Sequence, residues 1–267
     1  MLLRPLALGA LLCAALPARA ASPLEEAIFE LEDGPFYVLL NEGTYGVEGT
    51  TYDAADVNQQ ENLFYSFRLS LELRPWERHG LVLLWAPLPI DTTATLDESI
   101  NFRGTLFEAG ETVESAYSFD GYRGTYLYRL VDGDAFTWDV GGALQIRNAY
   151  VSLRSGDGAT YAQRSDIGIV PAVATRIFWW PAPSFYTHLE ATGLSSFGIG
   201  DADGGLYDVA LSIGLPLDER NDASIFLRTR VYGGGVDLSD DTVETWASFL
   251  FLTAGVRADL VGLIDRL

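Results

Sequence analysis

The sequence predicts an all-β protein: a transmembrane, antiparallel, up-and-down β-barrel of about ten strands, with eight or twelve as the alternatives. Three observations carry this. Long stretches alternate residue by residue between apolar and polar side chains, the period of a strand with different surroundings on its two faces. These stretches exceed the roughly 5–6 residues usual in soluble sheets and match the about 9–11 tilted residues that cross a bilayer. Finally, 48% of the residues are hydrophobic, yet beyond the N-terminus no apolar run approaches the roughly 18 residues of a membrane helix.

Residues 1–20 read as a secretory signal, with Arg4 as the n-region charge, an apolar core over 6–16 and the small-x-small pattern Ala18-Arg19-Ala20. The only cysteine, Cys13, lies inside that core. A mature chain without it forms no disulfide and does no thiolate chemistry.

Residues 21–62 are expected to form a periplasmic or plug segment. A short amphipathic helix is expected over 24–31, a short strand over 36–40 and a Gly-, Thr-, Asp- and Asn-rich loop over 41–60. The barrel is expected over 63–258. In 63–74, Leu63, Tyr65, Phe67, Leu69, Leu71 and Leu73 face one way, while Phe64, Ser66, Arg68, Ser70, Glu72 and Arg74 face the other. Residues 75–80 form a turn. Residues 81–90 contain Pro87 and Pro89, and proline is confined to edges and strand starts, so this strand is expected to end near Ala86. A shorter strand is expected over 98–107.

The longest hairpin spans 115–153. Tyr122, Tyr126, Tyr128 and Leu130 oppose Gly121, Arg123, Thr125 and Arg129. After the tight-turn signal Asp132-Gly133, Phe136, Trp138, Val140, Leu144 and Ile146 oppose Asp139, Gln145 and Arg147. A change of face around Asp120-Gly121 suggests a β-bulge there. In the next strand Ile167, Ile169, Val173 and Ile177 oppose Asp166 and Arg176. It ends in Phe178-Trp179-Trp180 beside a proline turn, as an interfacial aromatic girdle would. Three further alternating runs cover 185–191, 207–215 and 225–232, and a last strand runs over about 244–257, leaving a tail at 259–267. The short turns at 132–133, 181–183 and 217–222 define one end of the barrel, taken as periplasmic; the loops near 155, 198 and 233 define the other. A secreted β-sandwich or lipocalin-like barrel is the soluble alternative, and it requires polar outer faces that many of these strands lack.

With these strands in place, the chain resembles Gram-negative outer-membrane β-barrel proteins over residues 63–267. The runs Phe119-Asp120-Gly121-Tyr122-Arg123-Gly124-Thr125-Tyr126-Leu127-Tyr128-Arg129 and Tyr207-Asp208-Val209-Ala210-Leu211 look like those of an uncharacterised proteobacterial barrel family. The resemblance implies residence in the outer membrane of a Gram-negative bacterium. It also implies contact with outer-membrane lipid and insertion by the barrel-assembly machinery, and it brings no activity with it. The chain departs from the usual assembly signal, a last strand ending in a C-terminal Phe.

The chain carries 17 basic residues, all Arg, against 37 acidic ones. Losing Arg4 and Arg19 with the signal takes the formal charge from −20 to −22, which speaks against nucleic-acid partners. A saline habitat and a GC-rich genome are both compatible with it. No cofactor fingerprint is present. The acidic tips Asp201-Ala202-Asp203-Gly204 and 237–241 lack the EF-hand ligand pattern, so no metal site is expected.

No catalytic site is expected either. His188 and Glu190 share a face, but Ser184 lies about 13 Å away at strand rise, beyond the reach nucleophilic catalysis needs. A lipid-modifying enzyme is the remote alternative. The functional expectation rests on the lumen, where Arg68, Glu72, Arg74, Arg123, Arg129, Asp139, Arg147, Arg176, His188, Glu190, Asp208, Arg228 and Arg230 fall on the inner face. Paired with one another they form a plug that stabilises the barrel in a structural, passive membrane role. Unpaired, they line a narrow, porin-like path that leans toward small anions.

Overall fold

The computed structural model describes residues 24–196, 202–238 and 243–265. The signal expected over 1–20 lies outside them, as do Asp201 of the first acidic tip and residues 239–241 of the second. Twelve strands precede one short helix: β1 (Glu26–Tyr45), β2 (Leu63–Trp76), β3 (His79–Thr95), β4 (Ile100–Phe102), β5 (Thr105–Phe107), β6 (Thr112–Gly133), β7 (Phe136–Ser155), β8 (Tyr161–Ala182), β9 (Phe185–Ser195), β10 (Ala202–Pro216), β11 (Ala223–Leu238), β12 (Val243–Asp259) and α1 (Leu260–Ile264). Ten of them close into an antiparallel barrel in chain order, β12 pairing with β1, while β4 and β5 form a separate two-stranded sheet.

The barrel is inside-out relative to a soluble sandwich. On β11, Leu227 is 64% exposed and the next residue, Arg228, is 2% exposed. The same contrast recurs along the barrel strands, with charged side chains inside and a continuous apolar surface outside. A monomer that presents so much contiguous apolar surface is built to meet lipid.

Three expectations are corrected. Residues 26–45 are a wall strand, neither a helix nor a periplasmic segment. Ile28, Glu30, Glu32, Gly34, Phe36 and Val38 face inward and Leu31, Tyr37 and Leu39 outward. This strand pairs along Ile28↔Asp259 to Tyr45↔Val243 on one side and Glu26↔Arg74 to Tyr37↔Leu63 on the other. Residues 98–107, expected in the wall, instead form the β4–β5 hairpin outside it. The two corrections offset each other, so the count of ten stands. Strand β3 does not stop at Ala86; it continues to Thr95, paired with β6 throughout. Ser66 Oγ donates to the Pro87 carbonyl, so the backbone of Pro87 faces β2. Proline offers no N–H to that side, and the β2–β3 ladder accordingly stops at Leu69↔Trp85.

Two smaller readings also change. The face of β6 is continuous through Asp120-Gly121, and the register shift falls between Arg129 and Val131. Of the ring cluster read as a girdle, only Trp179 faces out. Phe178 faces the lumen, stacks on Trp180 at 5.4 Å and contacts Tyr186 at 5.7 Å, filling the turn end from inside.

The loop end is covered as well. Residues 46–62 fold back over the mouth through the Gly43↔Tyr52 bridge and a Thr92 Oγ1 bond to the Val57 carbonyl at 2.6 Å. The β4–β5 hairpin joins them, with Thr50 N donating to Asn101 O at 3.0 Å and Arg103 N to Tyr45 O at 2.9 Å. Tyr45, Tyr52, Val57, Phe102 and Phe107 pack beneath this cover against Val113 and Leu153 of the wall. Residues 46–62 therefore cover the end opposite the start of β1 and the end of β12.

Candidate functional site: a charged lumen and the cavity above it

Alternation along each strand aims its charged residues at the barrel axis. Every barrel strand except β3 contributes to one hydrogen-bonded network in the half nearer the turns. At its upper centre, Asp208 accepts from Arg68 at 3.1 Å, from Arg123 at 2.8 Å and from Arg230. Glu32 accepts from Arg68 at 2.9 Å, Arg228 at 2.8 Å and Arg230 at 3.1 Å, with Thr253 Oγ1 also in range at 3.3 Å. Closer to the turns, Glu72 accepts from Arg74 at 2.6 Å and Arg176 at 2.9 Å. Asp139 accepts from Arg74 and, at 3.0 Å, from Arg129. Glu190 joins the two centres, accepting from Arg176 at 3.0 Å and Arg230 at 3.2 Å.

The side chains in these pairs are mostly buried, where an unpaired charge costs several kcal/mol. Each carboxylate here faces two or three guanidiniums, so pairing repays the desolvation. What remains empty inside the network is two cavities of about 40 and about 20 Å³, room for a few water molecules at most.

The structure places all the expected lumen residues on the inner face. Arg68, Glu72, Arg74, Arg123, Arg129, Asp139, Arg176, His188, Glu190, Asp208, Arg228 and Arg230 belong to the network. Arg147 stands apart, higher in the barrel, paired with Asp166 at 3.1 Å. His188 stacks on Phe178 with ring centroids 3.7 Å apart. Its polar partners are Arg228 at 3.5 Å and Glu190 at 3.8 Å; Ser212, opposite it on β10, accepts from Arg228 at 2.6 Å. Sequence reasoning missed Glu30 and Glu32, which bond Arg228 at 2.6 and 2.8 Å, because their strand had been set outside the barrel. The alternation Phe29/Glu30/Leu31/Glu32 was the available signal. Sequence reasoning places Gln145 on the inner face but not in the lumen set; Gln145 accepts from Arg123 at 2.9 and 2.6 Å and donates to the Tyr232 hydroxyl at 2.9 Å, forming the network's upper boundary.

Above Gln145 and Tyr232 the lumen changes character. A cavity of about 540 Å³ is lined chiefly by apolar groups, among them Tyr117, Phe119, Val170, Leu206 and Phe249, with Tyr45 of the loop-end cover also in its wall. Among the described residues, its charged lining is Arg147, Arg164 and Asp166. Among the described residues, no group of three or more His, Cys, Asp or Glu is placed to hold a metal ion.

No family model matches the chain, and no curated protein matches it. Among solved structures, the outer membrane protease OmpT from Escherichia coli is similar, with a TM-score of 0.56 at 9% identity, covering 91% of this chain and 99% of that one. The attachment invasion locus protein Ail of Yersinia pestis, solved in complex with the heparin analogue sucrose octasulfate, scores 0.41 at 12% identity, covering 87% and 99%. Neisserial surface protein A scores 0.33 at 10% identity, covering 88% and 99%. At such identities the likeness is one of fold, and only the first score is high enough to carry weight. This chain has the fold of the Gram-negative outer-membrane β-barrels.

Proposed function

We propose that the chain is an integral outer-membrane protein of a Gram-negative bacterium, inserted by the barrel-assembly machinery, whose lumen is sealed against water-borne solutes and whose role is non-catalytic. The observation that carries this reading is the ion-pair network joining nine barrel strands across the lumen. An ion path needs sites that bind an ion and release it; here the guanidiniums expected to attract anions are already bonded to carboxylates. A narrow anion channel is therefore the weaker reading. Catalysis has no support in the residues: the chain has two histidines, one stacked in the network and the other, His79, bonded to Tyr126 at 2.7 Å near the turn end. The protease activity in OmpT's name stays with that protein.

The test is single-channel recording of the refolded mature protein in a planar bilayer. Folding and insertion are verified beforehand by heat-dependent migration in gels and by protease protection. Absence of conductance steps is the expected result. Reproducible steps that change ion preference in Arg230→Glu would overturn the reading in favour of a pore.

A further inference from the structure

Among the described residues, the wall of the cavity above the network has a gap. Strands β8 and β9 pair from Ala182↔Phe185 up to Val173↔Gly193. Beyond that, β8 runs on to Tyr161 paired only with β7 among the described residues, while β9 ends at Ser195 and turns toward β10. Pro171 lies on this unpaired stretch, as proline does at sheet edges. The cavity lining follows the gap: it includes not only the inward Val170 but also the outward Ile169 and Pro171, and Leu194 on the facing strand. Among the described residues, the cavity thus reaches the outside of the barrel. Ile169, beside the gap, is 70% exposed, and Ile167 and Val173 flank it on the same face. The opening therefore lies in the apolar outer band and faces lipid. With the start of β1, the end of β12 and the short turns on the periplasmic side, as in bacterial barrels, it faces the outer leaflet.

Among the described residues, the charges at the cavity are unbalanced. Arg147 is paired with Asp166, whereas Arg164 on the same wall has no carboxylate within ion-pair distance among the described residues. One guanidinium beside an apolar chamber complements one anionic head on one apolar tail. The volume falls in the about 300–1,000 Å³ range of sites that enclose a single small molecule.

We propose that this cavity binds a single-chain, singly anionic amphiphile, a long-chain fatty acid, which enters sideways from the bilayer between β8 and β9 and sets its carboxylate against Arg164.

The only cysteine of the sequence is Cys13, within the expected signal, which makes site-specific cross-linking straightforward. Protein refolded in detergent and in phosphatidylcholine vesicles is titrated with a dansyl-labelled fatty acid and then displaced with oleate or with oleyl alcohol. Saturable binding of one probe per barrel is expected, with oleate displacing it better than the uncharged alcohol. Loss of a charge-assisted bond should weaken oleate binding about tenfold or more in Arg164→Glu, while Arg164→Lys keeps most of it. Val170→Trp, which fills the chamber, should abolish binding. In vesicles, cysteines introduced at Val170 and Ser196 and joined by a short bismaleimide should slow loading at least about tenfold relative to the uncross-linked pair, an entry effect on rate. Heat-dependent migration verifies that each variant is folded. Any of three results would overturn the proposal: no saturable binding by the folded wild-type protein, equal displacement by alcohol and oleate together with an indifferent Arg164→Glu, or a two-chain phospholipid as the stoichiometric lipid extracted from the purified protein. Unchanged loading after cross-linking would overturn the sideways route.

Discussion

Single side chains in this barrel are coupled across the lumen, so their contributions are not independent. Arg230 bonds Asp208, Glu32 and Glu190 from one guanidinium. Arg230→Ala leaves three carboxylates short of a partner in a buried site, and breaking a buried pair from one side costs about 3–5 kcal/mol. The double variant Arg230→Ala/Asp208→Ala should cost less than the sum of the two single variants, by about 0.5–3 kcal/mol. Urea unfolding in phospholipid vesicles, followed by Trp fluorescence, measures all three; strict additivity would mean the two groups do not interact. Gly214 shows the steric counterpart. A Cβ there would fall 2.0 Å from the Tyr186 ring, which crosses β10 at that point to place its hydroxyl 2.9 Å from Ser224 Oγ on β11. Gly214→Ala should therefore cost about 2 kcal/mol, from overpacking and a lost hydrogen bond, in the same assay. In a Tyr186→Ala background the same change should cost little.

At the scale of the strand, legibility followed the outer face. Where the outer face is uniformly apolar, as in Leu63/Tyr65/Phe67/Leu69/Leu71/Leu73 of β2 or Val209/Leu211/Ile213 of β10, the period of two exposes the strand without help from the rest of the chain. β1 hides because Asp33 and Pro35 interrupt its outer face. Its inner face also switches from Glu30 and Glu32, beside the network, to Phe36 and Val38, beneath the apolar chamber. No single polarity marks the inside of such a strand. β4 and β5 mislead in the other direction: Ile100, Phe102 and Phe107 are apolar because they cover the mouth, not because they meet lipid. Pro87 and Pro89 end one ladder but not the strand, a distinction that needs the neighbour β6 to be known. The positions of the lumen charges could be read from alternation, whereas their partners could not. Glu32 and Arg230 are nearly two hundred residues apart in the chain, and only closure of the barrel brings them to 3.1 Å.

Closure is the property of the whole molecule on which the network, the cover and the chamber all depend, and β1 is where it is decided. That strand seals the seam between β12 and β2, supplies the two glutamates that neutralise Arg228, Arg68 and Arg230, and leads directly into residues 46–62 of the cover. If residues 24–62 were a removable plug, a chain beginning at residue 63 would still fold and would lose only its stopper. As a wall strand, its removal leaves nine strands with two open edges, each a row of unpaired backbone groups that lipid cannot satisfy, around three arginines that have each lost at least one carboxylate partner. The truncated chain is therefore expected to give no heat-shifted band in gels and no protease-protected core in vesicles. Supplying residues 24–62 as a separate peptide during refolding should restore part of both, since the missing piece is a strand with a defined register on each side. A truncated chain that folded unaided and conducted ions would show that the seam can close without β1, and would return residues 24–62 to the role of a plug.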